Sequence, residues 1–447
     1  MPRRYFGTDG VRGVVGEDLT EELVERLGFA FARWSGGDSV LVGRDTRASG
    51  PALEGALALG LAAGGAEVVT GGVLPTPAIA LLGRESGAVV SASHNPAEYN
   101  GVKFFRSGWK LEDAEEEAIE GHLDDPPAAL AGEPAELQLG LAERYVDLVC
   151  ERFGAPLDGL RVCVDCANGA MVEAGPAAVR RLGASVVSIG DKPDGRNINA
   201  GCGATDLRHL AETVRGDRFD LGVAFDGDGD RMLAVDAAGN EVNGDQILAV
   251  LALHLGVDVV AVTRMTNLGF HRLMAERGVR VLTTDVGDRY VLEALRAEGG
   301  LLGGEQSGHL IWLDGHTTGD GLVAALLLCR AVREQGHSLA ELAAVMPRFP
   351  QAKENVRVRS QTLPPAVLDE VAASARSFVA RAACSCARRA PSRSCGCSRR
   401  PNRNRPQSGS VVGLRLSFGE SSARRPGSFF STDFWKHKEP EQVEESR

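Results

Sequence analysis

One strand–loop–helix–glycine–strand unit occurs three times in this 447-residue chain, and that repetition limits its fold more than any other feature. β-Branched segments followed by polar loops occur at Ser39–Arg47, Leu160–Gly169 and Val257–Asn267. A helix-compatible stretch follows each, then a glycine and a second strand, at Gly65–Val69, Gly183–Val187 and Gly278–Leu282. Strand, helix and strand at this spacing form βαβ units, so each third is expected to be a parallel or mixed sheet covered by helices. Ligand loops in such sheets lie beyond the carboxyl ends of the strands. The expected fold class is therefore α/β, with three similar domains around a central cleft. The boundaries fall at residues 1–155, 156–254 and 255–360, with 361–447 as a remainder. One long doubly wound sheet is the weaker alternative.

Two short strings carry the chemistry. Gly87–Val90 reads as an apolar strand and leads into Ser91-Ala92-Ser93-His94-Asn95-Pro96. The proline fixes its own φ and biases Asn95 away from helix, which predicts a rigid, exposed turn bearing the Ser93 hydroxyl. His94 can orient that loop, and Lys103 follows on the next segment. A turn serine is most often a backbone cap. The second string reverses those odds. Leu221–Phe225 reads as a buried strand ending in Asp226-Gly227-Asp228-Gly229-Asp230-Arg231. Its alternating glycines let three carboxylates converge, and those carboxylates repel one another without a cation. An all-oxygen site of this kind suits Mg²⁺. An EF-hand does not fit, since Arg231 replaces its glycine and Ala237 its glutamate.

A third loop, Gly303–His309, places Glu305, Ser307 and His309 between glycines, a mixture of donors and acceptors suited to sugar hydroxyls and proton transfer. Arg12, Arg44, Arg47 and Arg289 are candidate phosphate ligands, since a guanidinium fork matches phosphate oxygens. The net charge of −11 argues against a nucleic-acid partner, and no apolar run is long enough for a membrane span. Met1–Phe6 lacks the apolar core of a signal peptide. Cys163 and Cys166 have the C-x-x-C spelling, but Cys163 falls within a strand pattern, so packed thiols in a reducing cytoplasm are expected.

In these three motifs, in this order over residues 1 to about 360, the chain resembles the α-D-phosphohexomutase family. The opening Phe6–Gly13 and Gln306 resemble its glucosamine branch more than its glucose/mannose branch. The resemblance implies four domains around a cleft and a phosphoserine at Ser93. It implies transfer of that phosphoryl group to O1 of glucosamine 6-phosphate and return of the 6-phosphate from glucosamine 1,6-bisphosphate, an intermediate and activator. Asp226, Asp228, Asp230 and a phosphoserine oxygen would hold one Mg²⁺. Lys103 and His309 would transfer protons, and Arg12 and Arg231 would steady the phosphoryl group. Glu305 and Ser307 would hold sugar hydroxyls, with Arg44, Arg289 and His94 as further substrate contacts. The product would feed cell-wall amino-sugar synthesis, and a homodimer is compatible with the resemblance. A phosphomannomutase or phosphoglucomutase, a metal-dependent phosphatase and an inactive sugar-phosphate-binding remnant are the competing readings.

The last quarter departs from the family. Its fourth domain carries Arg-x-Ser-Gly-Thr-Glu-Pro, a clamp for the non-reacting phosphate, and this string is missing here. Residues 381–425 instead hold eleven arginines, no lysine or aspartate, one glutamate (Glu420) and four cysteines. Such composition buries too little apolar surface to offset ordering entropy, so a degraded or disordered region is expected after about residue 381. Reading GC-rich codons for Ala382–Ser398 from the third base of the Ala382 codon yields GVLVRASGTEPVVRVL, which contains the missing clamp. A reading-frame shift between about Leu363 and Ala382 is the expected cause.

Overall fold

A computed structural model of the chain describes residues 4–7, 9–83, 85–125 and 135–351, and the backbone of strands at 354–357, 417–418 and 429–432. It divides into two compact bodies, 1–348 and 349–447.

The first body holds three mixed sheets. The first runs β1 (Val11–Val14), β5 (Tyr99–Arg106), β4 (Ser86–Val90), β2 (Ser39–Arg44), β3 (Glu67–Val73), β7 (Glu136–Leu137), with β6 (Trp109–Lys110) paired to β5. The second runs β12 (Glu241–Val242), β11 (Met232–Asp236), β10 (Leu221–Phe225), β8 (Arg161–Asp165), β9 (Ser185–Ile189). The third runs β14 (Arg280–Thr284), β13 (Val259–Thr263), β15 (Leu302–Gly304), β16 (Leu310–Trp312). The repeated sequence unit is the shared core of all three. In each, a first strand lies between parallel second and third strands, and the third pairs antiparallel with a fourth. The connection from third to fourth strand is Ser91–Glu98 in the first sheet, Asp226–Arg231 in the second and Glu305–His309 in the third. The three motifs thus occupy one topological position, at the carboxyl ends of parallel strands.

Helices cover the sheets: α1 (Glu21–Ser35), α2 (Gly50–Ala63), α3 (Thr76–Leu82), α4 (Asp113–Glu120) and α5 (Leu141–Phe153), then α6 (Ala174–Arg181), α7 (Arg208–Asp217), α8 (Gly244–Leu255), α9 (Leu268–Glu276), α10 (Asp288–Glu298), α11 (Gly321–Gln335) and α12 (Leu339–Ala343). Local chemistry sets their ends. The Thr20 hydroxyl caps α1 by accepting from Leu23 N, acidic Glu21 and Glu22 follow, and Gly36 closes the helix in the left-handed region. Asn243 and Gln246 form a reciprocal capping box on α8. Apolar faces then merge into cores. Phe225, Met232, Ile247, Val260, Leu302 and Leu326 belong to one cluster spanning the second and third sheets. Phe31 stacks on Phe104 at 4.3 Å in the core of the first. Cys163 and Cys166 are buried free thiols, with Cys163 inside β8 as its pattern predicts. Among the described residues no helix is long and apolar enough to cross a membrane.

In the second body, β17 (Glu354–Arg357), β19 (Phe429–Thr432) and β18 (Ser417–Phe418) form an antiparallel sheet in that order. The segment from 358 to 416, where the frame shift and the loss of the clamp are expected, lies outside the described residues.

Candidate active site

Ser93 has φ 52°, a left-handed conformation costing a non-glycine residue about 1–2 kcal/mol. Its neighbours hold it there. Ser91 Oγ accepts from Ser93 N at 2.9 Å and donates to Asp45 Oδ2 at 2.6 Å. Arg47, fully buried, pairs with Asp45 at 2.9 Å. It donates to the carbonyls of Ser93 at 3.0 Å, Asn95 at 2.8 Å and Tyr99 at 2.9 Å, and also to that of Pro96. From the second sheet's segment, Asn199 Nδ2 donates to Ser93 O at 2.9 Å. Two expectations are corrected here. Arg47 is a brace for the serine loop and has no N–H left for a phosphate. Ser93 is completely buried, not exposed, because the aspartate loop lies over it.

That loop is a tight hairpin turn, since Phe225 and Met232 pair directly across it. Ser93 Oγ donates to Asp226 Oδ2 at 2.5 Å. The three aspartates each offer an oxygen within 4.8 Å of the others, and all are buried. A Cβ on Gly227 would lie 2.5 Å from Ser93 O, so only glycine permits this approach. Thr76, at the start of α3, donates through N to Asp228 O at 2.9 Å and through Oγ1 to Asp228 Oδ2 at 2.7 Å. Lys103 Nζ reaches Asp228 Oδ2 at 2.8 Å and Asp230 Oδ2 at 3.3 Å. Burial opposes its charge, but Asp228, Asp9 and Asp230 outweigh burial and raise its pKa well above the ordinary lysine value. Burial pushes the Asp226 carboxyl well up, and repulsion from Asp230 and Asp228 adds to it. Asp228 Oδ1 and Asp230 Oδ1 are buried without a hydrogen-bond partner. Converging oxygens, mutual repulsion and two unsatisfied acceptors together fit a hard divalent cation.

The Gly303–His309 loop is tied to this hairpin through the backbone. Met232 N donates to Gly308 O at 2.9 Å, and Arg231 and His309 form an antiparallel bridge. His309 is buried, with Nδ1 3.7 Å from Asp230 and Nε2 3.2 Å from Asp288. Burial pulls its pKa down, yet Asp288 and Asp230 prevail and raise it. His94 Nδ1 lies 3.3 Å from Ser93 Oγ, and burial, reinforced by Arg231 and Arg12, lowers its pKa to about 4. The imidazole is therefore neutral at physiological pH. Arg12 pairs with Asp9, and the Nε atoms of both Arg12 and Arg231 are buried without a hydrogen-bond partner, Arg231 Nε lying 3.9 Å from Asp230 Oδ1. Two unsatisfied guanidinium N–H groups near this loop suit an incoming anion.

Three family models match in order: phosphoglucomutase/phosphomannomutase alpha/beta/alpha domain I at residues 3–128, domain II at 143–239 and domain III at 243–349. The chain belongs to the phosphoglucomutase/phosphomannomutase family. This phosphohexomutase is 48% identical to the phosphoglucosamine mutase of Desulforudis audaxviator over 378 residues, covering 80% of this chain and 84% of that protein. It is 50% identical to the phosphoglucosamine mutase of Saccharopolyspora erythraea over 376 residues, covering 79% and 84%. Among solved structures, a phosphoglucomutase/phosphomannomutase family protein from Burkholderia thailandensis shares the fold at TM-score 0.74 and 23% identity, covering 96% of this chain and 93% of that one.

Within the phosphohexomutase, then, Ser93, His94, Lys103, Asp226, Asp228, Asp230, Arg231 and His309 form one cluster through the contacts above, with Arg12 joined to it through Asp9. Glu305 and Ser307 flank it: Glu305 Oε1 accepts from Gly287 N at 3.3 Å, and Ser307 is exposed. Arg44 and Arg289, also expected to contact substrate, make their contacts outside this cluster. Arg44 Nε is committed to Glu54 at 3.1 Å. Arg289 forks onto both oxygens of Glu116, at 2.6 and 3.1 Å, and also pairs with Asp113. Sequence reasoning missed Asp9, Thr76, Lys110, Asn199 and Asp288. The signal available for Thr76, Asn199 and Asp288 was position, since all three lie in the connection that follows a second strand.

Proposed function

We propose that this phosphohexomutase interconverts glucosamine 6-phosphate and glucosamine 1-phosphate through a phosphorylated Ser93 and bound glucosamine 1,6-bisphosphate. The observation that carries the proposal is Ser93 Oγ set at 2.5 Å on an aspartate triad with two unsatisfied oxygens. The glucosamine relatives at 48–50% identity support the choice of sugar. Asp226, Asp228, Asp230 and an oxygen of phosphorylated Ser93 are the groups that would hold Mg²⁺, which when bound offsets charge on the transferring phosphoryl group.

In the forward half-reaction the bond between Ser93 Oγ and phosphorus breaks and one from phosphorus to sugar O1 forms. The O1 proton passes to a base. After the bisphosphate turns over, its 6-phosphoryl group returns to Ser93 Oγ and O6 takes up a proton. Lys103 and His309, which both face Asp230 Oδ2, are the proton-transfer groups. Arg12 and Arg231, whose Nε–H groups have no hydrogen-bond partner, steady the phosphoryl group, and neutral His94 bonds to the serine oxygen. Glu305 and Ser307 hold sugar hydroxyls. The expected loss of the fourth-domain clamp would make this particular chain a poor catalyst, because the remote phosphate would contribute less binding.

The test is intact-mass analysis after incubation with glucose 1,6-bisphosphate and Mg²⁺, followed by addition of glucosamine 6-phosphate. One phosphate on Ser93 that is then lost to the sugar is the expected result. A chain that takes up no phosphate, or releases it only as inorganic phosphate, overturns the proposal.

A further inference from the structure

Six buried or nearly buried groups form a closed circuit in which three carboxylates alternate with two lysines and a histidine. Lys103 meets Asp230 at 3.3 Å and Asp9 at 2.8 Å, and Asp9 meets Lys110 at 2.9 Å. Lys110 pairs with Asp288, Asp288 lies 3.2 Å from His309, and His309 lies 3.7 Å from Asp230. Lys103 and Lys110 come from one hairpin. Lys110 faces Phe105 across β5 and β6, and Phe105 is two residues from Lys103, so both lysines share a face. Asp9 separates the two ammonium groups. Asp288 opens α10 in the third segment, where the helix N-terminus favours a carboxylate.

Resting on the mutase reading above, we infer that Asp288 is a positioning residue for His309. Its carboxylate faces Nε2 at 3.2 Å as a charge partner without a hydrogen bond, which favours the ring orientation that sets Nδ1 toward Asp230, and Lys110 keeps that carboxylate in place from the serine segment. The fold supplies an internal parallel. Thr76 follows the second strand of the first sheet and fixes Asp228, and Asn199 follows the second strand of the second sheet and fixes the Ser93 carbonyl. Asp288 follows the second strand of the third sheet and meets His309. Each of these connections braces one of the three loops that carry the chemistry. A carboxylate on the far nitrogen of an imidazole sets its orientation without touching the substrate.

The test uses the full chain with Ser93 loaded from glucose 1,6-bisphosphate and Mg²⁺, then mixed with glucosamine 6-phosphate while intact mass is followed. D288N should slow phosphate loss at saturating sugar by about 10- to 100-fold. The sugar concentration for half-maximal rate should stay within about threefold, and D288E should recover most of the rate. D288N within about threefold of the parent rate, or D288E no better than D288A in protein of unchanged circular dichroism, overturns the inference. If the parent chain passes phosphate to mannose or glucose 6-phosphate instead, the sugar assignment fails and the comparison runs with that sugar. If the parent never loads, the mutase reading fails and a crystal structure of D288A decides. Displacement of the imidazole from Asp230 by more than about 1 Å supports positioning, and an unmoved ring overturns it.

Discussion

The hydroxyl of Ser93 and the carboxylate of Asp226, 133 residues apart in sequence, meet at 2.5 Å. The first and second sheets meet at the ends of their third strands, and the nucleophile reaches the acidic triad without any rearrangement. D228N should therefore weaken Mg²⁺ binding, measured by titration calorimetry, by at least about tenfold, or 1.4 kcal/mol. EDTA should stop Ser93 phosphorylation in the parent chain.

Gly227 is the contact point of these two loops. G227A places a methyl group against Ser93 O, which is backbone and can yield only by moving the loop. A stability loss of about 1–3 kcal/mol in urea denaturation is expected. Loss of Ser93 phosphorylation should exceed what unfolding explains.

Arg47 pairs with Asp45 inside the protein and satisfies four carbonyls of the serine loop. R47M leaves the Asp45 carboxylate buried with no cation beside it, so denaturation should show a loss of about 3–5 kcal/mol. R47K, which keeps the charge but not the fork, should fall between R47M and the parent.

Tyr145 donates to both oxygens of Asp320, at 2.9 and 2.8 Å, and burial together with Asp320 raises its pKa well above the ordinary phenol. The unfolded chain ionises this tyrosine first, near pH 10, so its contribution is complete below that pH and is lost as pH climbs toward the folded value. Spectrophotometric titration should show one of the four tyrosines ionising only as the protein unfolds. Y145F should flatten that part of the alkaline stability curve.

Sequencing the last quarter of the gene should reveal a change of register between the codons for about Leu363 and Ala382. Restoring the frame should raise kcat/KM for glucosamine 6-phosphate by about 10²- to 10⁴-fold, the equivalent of two charged hydrogen bonds at about 1.5–3 kcal/mol each. An intact frame, or a repaired chain no faster than this one, would falsify the frame-shift account.

The strands and the three loops were legible because each is a local pattern. Leu221–Phe225 is a strand over the residues its apolar run predicts, and the aspartates follow it directly. What stayed hidden is pairing at a distance. Arg47 looks like a phosphate ligand until Asp45 and four loop carbonyls are seen to take its N–H groups. Asp9, Lys110 and Asp288 look like surface charges, because alternation around a closed circuit does not show in a linear string. The turn at Asn95-Pro96 is real, but its exposure depended on a neighbouring sheet that Ser93 itself does not encode.

The bridge between Arg231 and His309 couples the aspartate hairpin and the Gly303–His309 loop through the backbone. A displacement of either loop is therefore expected to carry the other with it. In the proposed cycle, room for the bisphosphate to turn over is then expected to come from groups outside these two coupled loops.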